Sequence, residues 1–128
     1  GLDPGFYHYD GLSHRLVRLE DRPAPREELL QFTRMATRAE SGAPDCLVVI
    51  ASRMPRAGRE YQGIAYRLSL LHLGIALQNF YLVATDLGLG GCAIGSGRSD
   101  LFATLSGLDP LEECALGEFV LNGEREPV

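Results

Sequence analysis

Residues 86–97 read DLGLGGCAIGSG, and five of these twelve are glycine. A run this rich in glycine, set between a long apolar stretch and RSDLFATL (98–105), is either a loose connector or a backbone shaped to approach something closely. Mechanically, residues 82–89 carry the end of a long helix, Gly88 and Gly90 turn the chain out of it, and 92–94 enter a sheet. The chain then reaches Gly95, Ser96 and Gly97 at a strand's end, just ahead of a helix N-terminus, where ligands of open sheets tend to lie. A tight strand-to-helix turn capped by Ser96 or Ser99 is the plainer explanation of the same residues. The dinucleotide-binding fingerprint is excluded, because these glycines follow a helix and their spacing is wrong.

Outward from this run, the 128 residues are enough for one domain with a real core and leave little room for a second. A hydrophobic content of 45% and a formal charge of −5, with no basic stripe, argue against a nucleic-acid partner. All 12 basic residues are arginine, so no lysine chemistry is available from this chain. Cys46, Cys92 and Cys114 are far apart and flanked by apolar residues. They read as buried, reduced thiols of a cytoplasmic protein, and with scattered histidines no metal site is expected. No secretory signal is read at the start.

The opening GFYHYDGLSHRLVRLE (5–20) predicts a hairpin, with Phe6, His8, Leu16 and Arg18 in short alternating runs around Asp10 and Gly11. APREELLQFTRMATRA (24–39) predicts an amphipathic helix with proline and acidic residues in its first turn and Leu29, Leu30, Phe32, Thr33 and Ala36 on its apolar face. CLVVIAS (46–52) is short, continuous and rich in β-branched residues, which predicts a central strand covered on both faces. RMPRAGRE (53–60) reads as a loop. The element over about 61–87 is long and apolar enough to raise a membrane span, but His72, Gln78 and Asn79 sit in its middle and no basic flank marks an end. A helix apolar nearly all round belongs in a core, or in one shared between subunits, and Gly74 lets a neighbouring backbone come close. GCAI (91–94), SDLFATLSGL (99–108) and GEFVLNG (117–123) close the order as strand, helix and strand. The pattern predicts α+β or α/β with a single sheet.

Tyr66-Arg67, LLHLG (70–74), QNFYLVATDLGLGGCAIGSG (78–97) and LSGLDPLEECALGEFVLNG (105–123) resemble the second half of the nitroreductase-like flavoproteins, in particular the SagB-type dehydrogenases. The opening GLDPGFYHYDGLSHRLVRLE (1–20) is similar to the segment that precedes the central helices in that group. The resemblance covers nearly the whole chain in matching order. It implies an α+β fold with a central, mostly antiparallel sheet, flanking helices and a long buried helix, residues 1–128 being the C-terminal portion of the domain. It implies FMN as cofactor, with Ala93, Ile94, Gly95, Ser96 and Gly97 beside the flavin ring, and a homodimer or a partner chain that supplies the rest. Oxidation of thiazoline or oxazoline rings in peptide natural products is the activity it implies. A general nitroreductase, and a non-catalytic half used for dimerisation, are the alternatives.

Two departures qualify this. The family's Arg-x-Ser-x-Arg phosphate anchor has no counterpart, although a phosphate usually needs cationic side chains to hold it. The Lys-Tyr pair of the azoline dehydrogenases is matched by Glu60 and Tyr61. By resemblance Tyr61 is the candidate proton acceptor; Glu60 is either a second base or a helix-start glutamate favoured by the dipole. Arg67 reaches the flavin or a substrate carboxylate, or forms a surface ion pair. His72 reads as a core or interface histidine, Gln78 and Asn79 as bonded across a helix interface, and Arg125 as a possible phosphate contact or a frayed end.

Overall fold

The computed structural model describes residues 2–37 and 44–123. Strands β1 (Tyr7–Asp10) and β2 (Arg15–Arg18) form the expected antiparallel hairpin, with Tyr7 opposite Arg18 and Asp10 opposite Arg15. Its turn is held by the Asp10 carboxylate, which accepts hydrogen bonds from the Leu12 amide and the Ser13 hydroxyl. Helix α1 (Pro23–Thr37) begins on proline, whose missing N–H costs nothing at that position. The start falls one residue earlier than expected and leaves the first turn without an acidic residue. Leu29 and Thr33, one turn apart, are its buried residues, and Ala36 stays exposed.

Strand β3 (Cys46–Ser52) occupies the whole of CLVVIAS, yet it is not central. The sheet runs β3-β5-β4, with β4 at Gly90–Ile94 and β5 at Cys114–Asn122, both pairings antiparallel. A continuous apolar run reports burial of side chains, not the presence of neighbours on both edges. The middle place falls to β5, whose Phe119 is fully buried. RMPRAGRE is helical, not a loop: α2 (Met54–Tyr61) takes Pro55 in its first turn, where the ring fits without clash. A 3-10 turn (Gln62–Ile64) follows, and Gln62, at φ 49°, breaks the helical run there. Helix α3 (Ala65–Asp86) therefore starts later than expected and is 22 residues, about 33 Å, long. By length and composition it suffices to cross a membrane.

Helix α4 (Ser99–Ser106) ends on Gly107 at φ 71°, the left-handed cap that glycine adopts without strain. Its start carries no side-chain cap from Ser96 or Ser99; the N-terminal capping residue is Arg98. The sheet separates two layers. On one face α1 and α4 pack together, with Leu29, Leu101 and Leu105 clustered against Phe6, Leu47 and Val49. On the other, α3 lies along β5 and β4: Leu73 reaches Gly117, and Phe80 and Tyr81 stack on Phe119. A side chain at Gly91 would meet the Phe119 ring at 2.8 Å, so that glycine is required by close packing. Of α3 only Ala65 and Ala84 are buried, so the long helix is largely uncovered within this chain. Gly74 faces open space, and Gln78 and Asn79 point outward without hydrogen-bond partners among the described residues.

Candidate active site

Strands β3 and β4 are both antiparallel to β5, so they run parallel to each other and end on the same side of the sheet. Two features lie toward that end of the sheet. The first is the backbone leaving β4. Ile94 is buried, while Gly95, Ser96 and Gly97 are exposed. The Ala93 amide is already committed: it donates to the Tyr81 hydroxyl at 2.8 Å, which closes the free edge of β4. The Arg98 amide donates to the Glu118 carboxylate at 3.0 Å. Between these two bonds the amides of Gly95, Ser96 and Gly97 have no partner among the described residues. Nothing lies within 4 Å of a side chain built at Gly95, so a flat group can approach the backbone there. Buried donors would need partners, but donors at an exposed strand end are available to a ligand.

The second feature is an open recess of about 740 Å³ beyond the end of β3. Arg53, which precedes α2, and Arg56 and Glu60 on it line the recess at spacings of three and four residues, and Tyr61, the last residue of α2, lines it next to Glu60. Ser69 and His72 come from α3, His8 and Tyr9 from the hairpin, and Ser52 from β3. Arg53 Nε pairs with Glu113 at 3.0 Å, which leaves the Arg56 guanidinium without a partner among the described residues. Tyr61 is 45% exposed, its hydroxyl free to meet a ligand. Two expectations change here. His72 is exposed on the recess, which removes the core reading and leaves the interface one open, and the thiols are not uniformly buried, since Cys46 and Cys92 are exposed and Cys114 is half-buried.

Glu60 and Tyr61 thus share one recess, and Ala93, Ile94, Gly95, Ser96 and Gly97 form the neighbouring strand end; none of these five lines the recess. Arg67 is exposed on α3 and lies outside it as well. Arg125 falls outside the described residues. Arg56 is the residue that sequence reasoning missed, because 53–60 read as a loop and a helical face could not be drawn through it. Arg98 Nε and Nη2 grip the Asp100 carboxylate at 2.8 and 2.6 Å and hold it down at about 2. Among the described residues no cluster of histidine, cysteine and carboxylate could hold a metal ion.

The nitroreductase family model matches residues 18–117, which contain the glycine loop and the α2 and α3 residues of the recess but not His8 and Tyr9. The chain belongs to the nitroreductase family. A proposed nitroreductase of Methanocaldococcus jannaschii, MJ1384, is 32% identical over 96 residues, covering 75% of this chain and 47% of that protein. The Escherichia coli microcin synthetase McbBCD complex, with truncated pro-MccB17 bound, contains a chain of like fold. The TM-score is 0.78 at 23% identity, over 94% of this chain and 44% of that one. A proposed nitroreductase of Anabaena variabilis gives a TM-score of 0.76 at 25% identity, over 94% of this chain and 24% of that one. The chain thus spans less than half the length of each of these three proteins.

Proposed function

We propose that this nitroreductase-family chain is the C-terminal part of an FMN-dependent oxidoreductase that oxidises azoline rings borne on a peptide. The observation that carries the reading is the row of three unpartnered amides at Gly95, Ser96 and Gly97, on the same end of the sheet as the recess of Tyr61. Such amides fit the acceptor edge of a flavin ring, and the open space at Gly95 fits its flatness. The phosphate is not matched by the same residues. Arg98, the nearest arginine in sequence, is engaged by Asp100, so in this reading the phosphate is held by the part of the fold that this chain does not supply. Sequence resemblance to the SagB-type dehydrogenases supports the azoline substrate, and McbBCD, a synthetase with a peptide bound, has a chain of the same fold. The reading places the protein in the cytoplasm, which suits its three free thiols.

A bound flavin supplies a two-electron acceptor for hydride. The chain's own residues then have two tasks. The 95–97 backbone orients the ring, and Tyr61 takes the proton that leaves the substrate as the new double bond forms. For this Tyr61 must enter the step as its phenolate, a charge that Arg56, in the same recess and without a partner among the described residues, favours and Glu60 opposes. The outer face of α3 is covered by a second copy or by the rest of the domain. Its polar residues Gln78 and Asn79 argue for protein rather than lipid there.

The test is substrate-driven flavin reduction in the intact protein. Tyr61→Phe is expected to slow it by roughly 10²-fold, a usual loss for a general base, with FMN affinity nearly unchanged. An unchanged rate would remove Tyr61 from the mechanism. A protein that quenches no FMN fluorescence at any concentration would sink the flavin reading itself. The family match alone supports a nitroreductase acting on small electron-poor compounds, and activity on those but not on azolines would decide for it.

A further inference from the structure

The middle strand of the sheet carries an unusual core residue. Glu118 is 1% exposed, with Val49 of β3 and Ile94 of β4 as its cross-strand partners. Its side chain rises into the α1–α4 layer, where Leu and Phe otherwise fill the space. A carboxyl there is expensive to bury, so its partners matter. Oε1 accepts the Arg98 amide at 3.0 Å; Oε2 is buried and has no partner among the described residues. A side chain built at Gly97 would meet Oε1 at 2.6 Å. The carboxyl therefore touches the glycine loop twice, at Gly97 and at Arg98. A capping-box glutamate makes the same bond to the capping residue's amide from within its own helix; here it comes from a strand, and no serine does the work.

We propose that Glu118 is a positioning residue for the glycine loop: reaching up from the central strand, its carboxyl fixes the course of the backbone over 95–98 and so the direction in which the free amides point. The proposal rests on the reading of those amides as the flavin contact, and extends it to the residue that aims them. Oε1 accepts from Arg98, so in the neutral acid the proton sits on Oε2, and burial pushes this carboxyl above the ordinary glutamate range. Ionisation would place a charge with one hydrogen bond inside the core. The charged groups around it do not relieve that cost: Arg98 is turned to Asp100, Glu28 on α1 adds negative charge near Arg98, and β3 and β4 present Val49 and Ile94 at this level. At higher pH the loop is expected to loosen as the carboxyl ionises and draws in water.

Hydrogen exchange at the Arg98 amide of the intact protein tests this without reference to catalysis. Glu118→Ala removes the acceptor and should speed exchange about tenfold, whereas Glu118→Gln keeps an acceptor oxygen and should not. Val120→Ala, on the same strand and the same face, loosens the core without touching the loop. If it speeds Arg98 exchange as much as Glu118→Ala, the clamp is overturned. Where Glu118→Ala does not fold, pH decides. As pH rises above the ordinary glutamate range, opening at Arg98, after correction for intrinsic exchange, should rise in the native protein and stay level in Glu118→Gln. Equal pH dependence in the two would overturn the proposal. Added FMN separates it from the reading beneath it. Faster exchange in Glu118→Ala, with FMN affinity and spectrum untouched, supports the clamp and removes flavin from this loop.

Discussion

The two faces of the three-stranded sheet are finished differently. Helix α4 has 8 residues and buries Leu101, Phe102 and Leu105, because α1 covers it from one side and β5 from the other. Helix α3 has 22 residues and buries only Ala65 and Ala84, although on average it is as apolar as α4. Its inner stripe meets the sheet through Leu73, Phe80 and Tyr81, while Leu71, Ile75 and Leu82, each more than half exposed and in turn four and seven residues apart, form an outer stripe. Apolar content thus measures how many surfaces an element is built to meet, and α3 meets only one of its surfaces within this chain. A contiguous apolar stripe of this size usually marks a contact site.

The largest expected effect sharpens the comparison by showing that the sheet itself is packed equally on both sides. Phe119 is fully buried under α3, and Leu101 is 7% exposed under α1. Phe119→Ala should cost about 3–5 kcal/mol in denaturant unfolding, and Leu101→Ala about 2–5 kcal/mol. A loss below about 1 kcal/mol for Phe119→Ala would show that α3 is not seated on the sheet, and the contrast would then lie in the whole layer rather than in its outer stripe.

A second pair of substitutions aims at the outer stripe. Leu71 and Ile75, 53% and 62% exposed, are four residues apart on α3 and so lie on one face. Leu71→Glu with Ile75→Glu should change the unfolding of the isolated chain by no more than about 0.5 kcal/mol, as surface substitutions do. If a second copy or the rest of the domain covers this stripe, the same pair should weaken assembly by about 2 kcal/mol or more, read by sedimentation over a concentration series. Unchanged association would break the comparison, since the stripe would then be bare in the assembled protein too.

This contrast was partly legible in the sequence. The circumference of apolar residues over about 61–87 announced a helix with more than one contact surface, and Gly88 announced its end, whereas Gly107, read within a helix over 99–108, is the left-handed cap that ends α4 at Ser106. The α+β class and the antiparallel sheet followed from the order of the elements and the resemblance. Other features could not be read. CLVVIAS has the composition of a central strand and lies at an edge, because hydropathy does not report edge neighbours. Helix α2 hid behind Pro55 and Gly58, two residues that usually mark loops, and with it went the face that brings Arg56 beside Tyr61. Glu118 gave no signal of burial: in a linear reading a glutamate in a closing strand belongs on the solvent side, and only the loop folded over it makes it a core residue.

The smallest expected effect concerns the start of α4, where two carboxylates respond to pH in opposite senses. Asp100 is held at about 2, below its ordinary 3.8, first by its hydrogen bonds from Arg98. The unfolded chain therefore takes up that proton before the folded one does. The stability contributed by Asp100 is present above about pH 4 and is lost as pH falls through about 2. Glu118 is pushed the other way by burial, so the folded protein keeps its proton after the unfolded chain has released it. Its contribution is complete below the ordinary glutamate value and is lost as pH rises through the elevated one. Unfolding stability should thus decline at both ends. Asp100→Asn should flatten the acid side, and Glu118→Gln the side above the ordinary glutamate range. Salt separates them further. Asp100 and Arg98 are open to solvent, so added salt should shrink the acid-side decline, whereas the decline due to Glu118 arises from desolvation in the core and should persist. A salt response on both sides would mean that water already reaches Glu118 beneath the loop, and that the α1–α4 layer is less completely closed than its buried residues indicate.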